Sequence, residues 1–270
     1  MTIYYLEGRK GLYLYHFFIY NLGGLYYILN KKFIRGPPNT SILLDIPTIQ
    51  EPTRDNNLTF PIKIHMKDIL PFQREAFEII KDKFELVEEL PTSEEIVSIY
   101  GEIQTKTGTS DNKEIIFPFL RNLFLEKCQY KMISGKKIYI TRKNSEKQHY
   151  GVLKRHILNE PNFIELLNKH NIEYIQLENY SMQNKIKLFM ESELIISPHS
   201  SCLTLLLFAN QKSKIIEITN KGTVGFSNHH MLEIANVFEL NFHRYSNINE
   251  DYNGNFNIDI NDFEKYLSTI

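Results

Sequence analysis

Chemistry in this sequence concentrates in one short run, Leu194-Ile-Ile-Ser-Pro-His-Ser-Ser-Cys-Leu-Thr204. It reads as an apolar strand, a turn of small residues and the start of a buried helix over 203–209. Backbone amides at a strand-to-helix turn point at whatever lies above the sheet. The positive end of the helix dipole stands behind them, so the turn favours an anion, most often a phosphate. His199, inside the turn, can donate to a phosphate or leaving group, or act as acid or base near neutral pH. It can equally bond backbone as a structural histidine, with Ser200 and Ser201 as ordinary helix caps.

Three further positions carry chemical potential. Arg142 and Lys143 follow the strand over 138–141 directly, where a strand's carboxyl end meets a ligand. A guanidinium offers a planar fork of donors suited to phosphate, although Lys147, Lys154 and Arg155 also allow a solvated basic turn. Glu217 interrupts the apolar strand Ile215-Ile-Glu-Ile218, and a carboxylate there is costly unless partnered or at a strand end. Accepting hydrogen bonds from a ribose diol is one use for it. His16 interrupts an aromatic helix, a setting in which a lone histidine is usually a satisfied core residue.

Two patterns imitate metal sites. Asp251-Tyr-Asn-Gly-Asn-Phe-Asn-Ile-Asp259 has the composition of a calcium loop, but Phe256 stands at the sixth position and Asp262 at the twelfth. A turn at Asn253-Gly254 is the better reading. His229-His230 has no neighbouring ligand cluster to complete a zinc site. No metal is expected.

These residues need a frame. Strands are expected over 138–141, 172–177, 194–197, 214–218 and 241–245. Helices are expected over 160–169, 181–190, 203–209, 229–239 and 260–268. Such alternation implies a parallel, doubly wound sheet, with ligands at the carboxyl ends of its strands. The first half predicts one or two strands over 1–14, a helix over 16–30 and a buried strand over 41–46. A loop over 47–61, a helix from Pro71, a strand over 84–90, a loop over 101–112 and a helix over 116–131 follow. The domain boundary falls near 128–136, giving domains 1–130 and 131–270.

Composition narrows the classes. The chain has 270 residues, with 18 Phe and 16 Tyr to fill two modest cores. A net charge of −1 gives no basic field for nucleic acid or an anionic membrane. Cys128 and Cys202 read as free thiols in a reducing compartment. The apolar stretch 11–29 holds His16, Asn21, Gly23 and Gly24, which suits a buried core helix better than a membrane span. A cytoplasmic protein, peripheral to a membrane at most, is the expectation.

The segments together resemble glycosyltransferase family 61. Lys137-Ile-Tyr-Ile-Thr-Arg142 is similar to the family's "rkIYisR". The run 157–167 is similar to "R-x-x-x-N-E-x-e-v-i-e-l-L", and 177–189 to "l-e-x-l-s-f-x-e-q-i-x-l-f". The run 192–204 is similar to "e-v-i-i-g-P-H-G-A-G-L-T-N", and 214–218 to "k-V-I-E-i". More weakly, 11–22 with His16 is similar to "G-n-y-x-H-f", and 71–75 to "kpfqrElL". The resemblance implies a GT-B architecture, two Rossmann-like domains with parallel sheets facing across a cleft. It implies inverting, metal-independent transfer of a sugar from a nucleotide donor, usually UDP-linked, to a glycan or polysaccharide acceptor, with no cofactor. By position, Arg142 and Lys143 would meet the diphosphate. The turn with His199, Ser200, Ser201 and Thr204 would cradle it, Glu217 would approach the nucleoside, and His16 would be the catalytic base. Ser200 and Cys202 replace the family's two glycines, which leaves a catalytically degenerate nucleotide- or glycan-binding module as the alternative. A pyruvyltransferase or epimerase of related fold would need signature residues not evident here.

Overall fold

The structure, a computed structural model, describes residues 2–7, 14, 16–29, 61–66, 69–87, 95–100, 113–128, 135–142, 155–219, 229–252 and 254–270. The chain divides into two compact units, Met1–Gln129 and Tyr130–Ile270.

The first unit is built on a four-stranded sheet in the order β3-β2-β1-β4. Its strands are β1 (Thr2–Glu7), β2 (Ile62–His65), β3 (Phe84–Val87) and β4 (Glu95–Tyr100), and every pairing is parallel. Around them lie α1 (Gly23–Leu29), α2 (Pro71–Ile79) and α3 (Lys113–Leu125). Pro71 occupies the first helical turn of α2, where a missing N–H costs nothing. The predicted helix from residue 16 begins as a π-helix, His16–Leu22, before α1 takes over. Phe17, Phe18, Ile19 and Leu22 are all fully buried. Phe17 meets Phe72 and Phe77 at 5.5 and 6.3 Å, and Phe18 meets Phe124 at 5.4 Å. The run is therefore the aromatic core of this unit. Among the described residues, no helix is long and apolar enough to cross a membrane. β2 and β4 go beyond the predicted elements. The predicted strand over 41–46 and loop over 101–112 lie outside the described residues.

The second unit is a five-stranded parallel sheet in the order β6-β5-β7-β8-β9. It comprises β5 (Lys136–Ile140), β6 (Glu173–Ile175), β7 (Ser192–Pro198), β8 (Lys214–Ile218) and β9 (Asn241–Tyr245). The chain runs from β5 outward to β6, then returns past β5 to β7. The sheet order thus reverses between β5 and β7. The crossovers are α4 (Glu160–Lys169), α5 (Met182–Glu191), the helix Ser201–Phe208 and α6 (His229–Val237), and α7 (Ile260–Ser268) follows β9.

Side chains alternate across a strand, so each strand supplies both faces. Tyr139, Leu194, Ile196, Ile216, Ile218 and Tyr245 join Phe163, Leu166 and Phe263 of α4 and α7 in one core. Phe163 stands edge-on to Tyr139 at 5.2 Å and to Phe263 at 4.8 Å. Both faces are covered, which is why these strands are near-continuous Ile and Leu. A residue of the opposite parity, such as Glu217, faces the other side, where the Ser201–Phe208 helix packs against α5 and α6.

The helix expected over 203–209 is a 3-10 helix over Ser201–Phe208.

Candidate functional site

The strand order reverses between β5 and β7, and ligands of such sheets bind at the carboxyl ends of the strands at this point. Arg142 lies two residues past β5 and His199 one residue past β7. Arg142 ties the two strand ends together, its Nη1 donating to the His199 carbonyl at 2.6 Å. The turn is also tied to the next strand, since the His199 amide donates to the Ile218 carbonyl at 2.9 Å.

The end of β5 is held by a buried carboxylate. Glu160, the first residue of α4, accepts from Tyr139 Oη at 2.8 Å and from Thr141 Oγ1 at 2.5 Å. Burial, the Glu160 charge and the hydrogen bond to it push the Tyr139 phenol well above its ordinary range. Next to Glu160, Asn159 clamps Ile258, donating to its carbonyl at 2.8 Å and accepting from its amide at 3.0 Å. The Asn-Glu pair therefore positions the elements around the end of β5.

His199 is oriented by Glu217. Nδ1 lies 2.6 Å from Glu217 Oε1, and the other carboxylate oxygen accepts from Arg244 Nε at 2.8 Å. A bond between Nδ1 and a carboxylate requires the hydrogen on Nδ1. Nε2 is the ring nitrogen that Glu217 does not engage. Glu217 is completely buried and His199 is 7 % exposed. The expectation that Glu217 meets a ribose is thus not what this geometry offers. Both of its oxygens already bind protein donors, and no surface remains for a ligand.

Ser200 and Ser201 are half-buried at the turn, and Ser200 Oγ contacts Cys202 Sγ. Burial, the largest influence, pushes the Cys202 thiol up. Leu203 donates to the Ser200 carbonyl, so the Ser201 and Cys202 amides precede the first intrahelical bond. Thr204 is fully buried and its Oγ1 makes no hydrogen bond among the described residues; the same holds for Thr219, just past β8. The structure thus brings Arg142, His199, Ser200, Ser201, Thr204 and Glu217 to one end of one sheet. Lys143 lies outside the described residues. His16 belongs to the first unit, in its π-helix, and its side chain is outside the described set.

Two residues of the site escape a reading of motifs. Arg244 stands opposite Glu217 in the β8–β9 register. Each is the last residue but one of its strand, so aligning the strand ends would have found the pair. Arg155 adopts a left-handed backbone, φ 54°, rare for a side chain of this size. Burial strips water from its guanidinium, and the charges of Glu250 and then Glu217 offset that loss. The suspected calcium loop is a turn. Gly254 sits at φ 78°, and Asp251 Oδ1 and Oδ2 accept from the amide and side chain of Asn255. Among the described residues no group of ligating side chains could hold a metal ion.

No curated protein matches the chain. Residues 103–216 match the family model described as Glycosyltransferase 61. The matched stretch contains Arg142, His199 and the turn to Thr204. The match assigns this stretch to glycosyltransferase family 61 and indicates a glycosyltransferase.

Proposed function

We propose that the chain is an inverting, metal-independent glycosyltransferase of GT-B type. Its second unit holds a nucleotide-sugar, UDP-linked, and its first unit serves a glycan or polysaccharide acceptor. The observation that carries this reading is the Arg142 bond to the His199 carbonyl between the ends of β5 and β7. In this reading the guanidinium, the Ser201 and Cys202 amides and His199 Nε2 meet the diphosphate together.

In the proposed reaction the acceptor oxygen attacks the anomeric carbon as the bond to the diphosphate breaks on the opposite face. The acceptor proton passes to a base, for which His16 is the candidate. Charge growing on the departing diphosphate is met by Arg142, by Lys143 beyond it, by the turn amides and by His199. Ser200, Ser201 and Thr204 supply hydroxyls along the same turn. Glu217 acts through His199, fixing its ring and its Nδ1 hydrogen.

One observation favours a second reading. Ser200 Oγ and Cys202 Sγ meet inside the turn, where smaller residues would leave room for phosphate oxygens. A module that binds without transferring is the outcome this would produce. Thermal-shift titration with UDP, GDP, CMP and dTDP, on wild type and Arg142→Ala, tests the donor site. A single nucleotide that raises Tm, and no longer does so in Arg142→Ala, supports it by mass action. Donor hydrolysis and product analysis then separate transfer from binding alone. No shift with any nucleotide, from folded protein, refutes the proposal.

A further inference from the structure

We infer that the groove between the end of β9 and α7 is a sugar-binding subsite, in which Asp262 receives ring hydroxyls and Tyr266 supports the ring. The inference rests on the glycosyltransferase reading above.

The groove has a volume of about 390 Å³, and Arg244, Tyr245, Asn247, Asp262, Lys265 and Tyr266 are among its lining residues. Small-molecule sites run from about 300 to 1,000 Å³, so a ligand of monosaccharide size fits. Asp262 stands in the first turn of α7, but helix capping does not account for it. Asp259 caps the helix, accepting from the Asp262 amide at 3.0 Å. The Asp262 carboxylate has donors of its own. Tyr245 Oη donates to Oδ2 at 2.7 Å, and Asn247 Nδ2 donates to the same oxygen at 2.8 Å. Asn247 first and Tyr245 second thereby hold this carboxyl below its ordinary range. Water alone would satisfy a carboxylate at the surface, yet here two protein donors fix its plane. Among the described residues both use Oδ2, so the other oxygen is left for a further donor.

Beside it Tyr266 is half-buried, its ring propped by Tyr245 at 5.2 Å and by Phe263 at 6.2 Å between centroids. A fixed carboxylate next to a fixed aromatic ring matches a sugar. Hydroxyls donate to the carboxylate, and the C–H face of the sugar lies against the aromatic ring. A carboxylate and the cations of Arg244 and Lys265 share the walls, which suits an uncharged ligand that both donates and accepts. The groove also adjoins the proposed donor turn. Arg244 lines it, and the same guanidinium donates through Nε to Glu217, which orients His199. The sugar is either the one carried by the donor or a unit of the acceptor, and the test separates the two.

Asp262 and Tyr266 touch the sugar in this reading, and Asn247 is a positioning residue that acts through Asp262. Wild type, Asp262→Ala, Tyr266→Ala, Tyr266→Phe and Asn247→Ala are titrated with UDP, UDP-glucose and the methyl glycosides of glucose, galactose, mannose and N-acetylglucosamine. Saturation-transfer NMR reads the glycosides. Loss of a hydrogen bond to a charged group predicts a sugar Kd raised about 10-fold or more in Asp262→Ala. Tyr266→Ala should lose sugar binding as well, and Tyr266→Phe, which keeps the ring, should retain it. Asn247→Ala should weaken the sugar while the UDP Kd stays at the wild-type value, a split that a purely structural role does not produce. Weakened glycosides mark an acceptor subsite. Weakened UDP-glucose with unchanged UDP marks the donor's sugar. Where Asp262→Ala does not fold, Asp262→Asn removes the charge and keeps the shape. Sugar binding unchanged in the folded Asp262 and Tyr266→Ala variants, or absent from wild type, overturns the inference and leaves the donor site standing. So does a fall in UDP affinity equal to that of UDP-glucose. If UDP fails to bind folded wild type while a glycoside binds and depends on Asp262, the donor reading fails and the groove stands.

Discussion

Arg142→Ala separates a structural bridge from a surface cation. Arg142 is 9 % exposed and its Nη1 lies 2.6 Å from the His199 carbonyl. Truncation removes a charge-assisted bond and leaves a carbonyl beneath a turn that is itself buried. Bonds to charged groups contribute about 1.5–3 kcal/mol each. A loss of about 2 kcal/mol corresponds to a Tm lowered by about 4–8 °C for a domain of this size. Arg142 also ties the β5 and β7 ends together, so nucleotide binding should weaken along with stability. Loss of one charged, oriented contact to phosphate, worth about 1.5–3 kcal/mol, predicts a UDP Kd raised about 10- to 150-fold. The assay pairs thermal unfolding with UDP calorimetry on wild type, Arg142→Ala and Arg142→Lys. Lysine keeps the charge without the fork and should recover less than half of the lost binding energy. A variant that melts with wild type and binds UDP unchanged refutes both the bridge and this end of the sheet as the donor site.

Three other perturbations have defined outcomes. Glu217→Gln should lower stability by about 1–3 kcal/mol through loss of charge-assisted bonds, seen in urea unfolding. A wild-type urea midpoint would contradict the buried pair. Phe163→Ala empties the centre of the α4–α7 core and should cost about 3–5 kcal/mol by the same measurement, with a loss under 1 kcal/mol counting against the packing described. Tyr139 holds its proton more tightly folded than unfolded, so its contribution is complete below the ordinary tyrosine pKa of about 10 and is lost as pH rises through the raised folded value. Ultraviolet titration should therefore show Tyr139 ionising only together with alkaline unfolding, and in Tyr139→Phe that late step should be missing.

Much of the second unit was legible in the order of residues. Short apolar runs rich in Ile and bounded by turn residues marked β5, β7 and β8, because strands buried on both faces need no polar alternation. Pro71 marked the start of α2, and the Ser-Pro-His-Ser-Ser turn marked the carboxyl end of β7. Those are local constraints, and local chemistry expresses them. The family resemblance lies on the same stretches, and the match over 103–216 supports it.

Other features depended on partners distant in sequence. The helix after β7 is 3-10 and the run from His16 opens as a π-helix, neither of which its own residues announced. Glu217 looked like a ligand for a nucleoside when read within its own strand. Pairing β8 with β9 set Arg244 against one of its oxygens, and the turn after β7 set His199 against the other. Sequence alone determined which residues end each strand, because apolar periodicity and turn chemistry are properties of adjacent residues. Which of those strand ends share a charge was decided by the tertiary structure, because strand order and register are set by crossovers that bring together residues far apart in the chain.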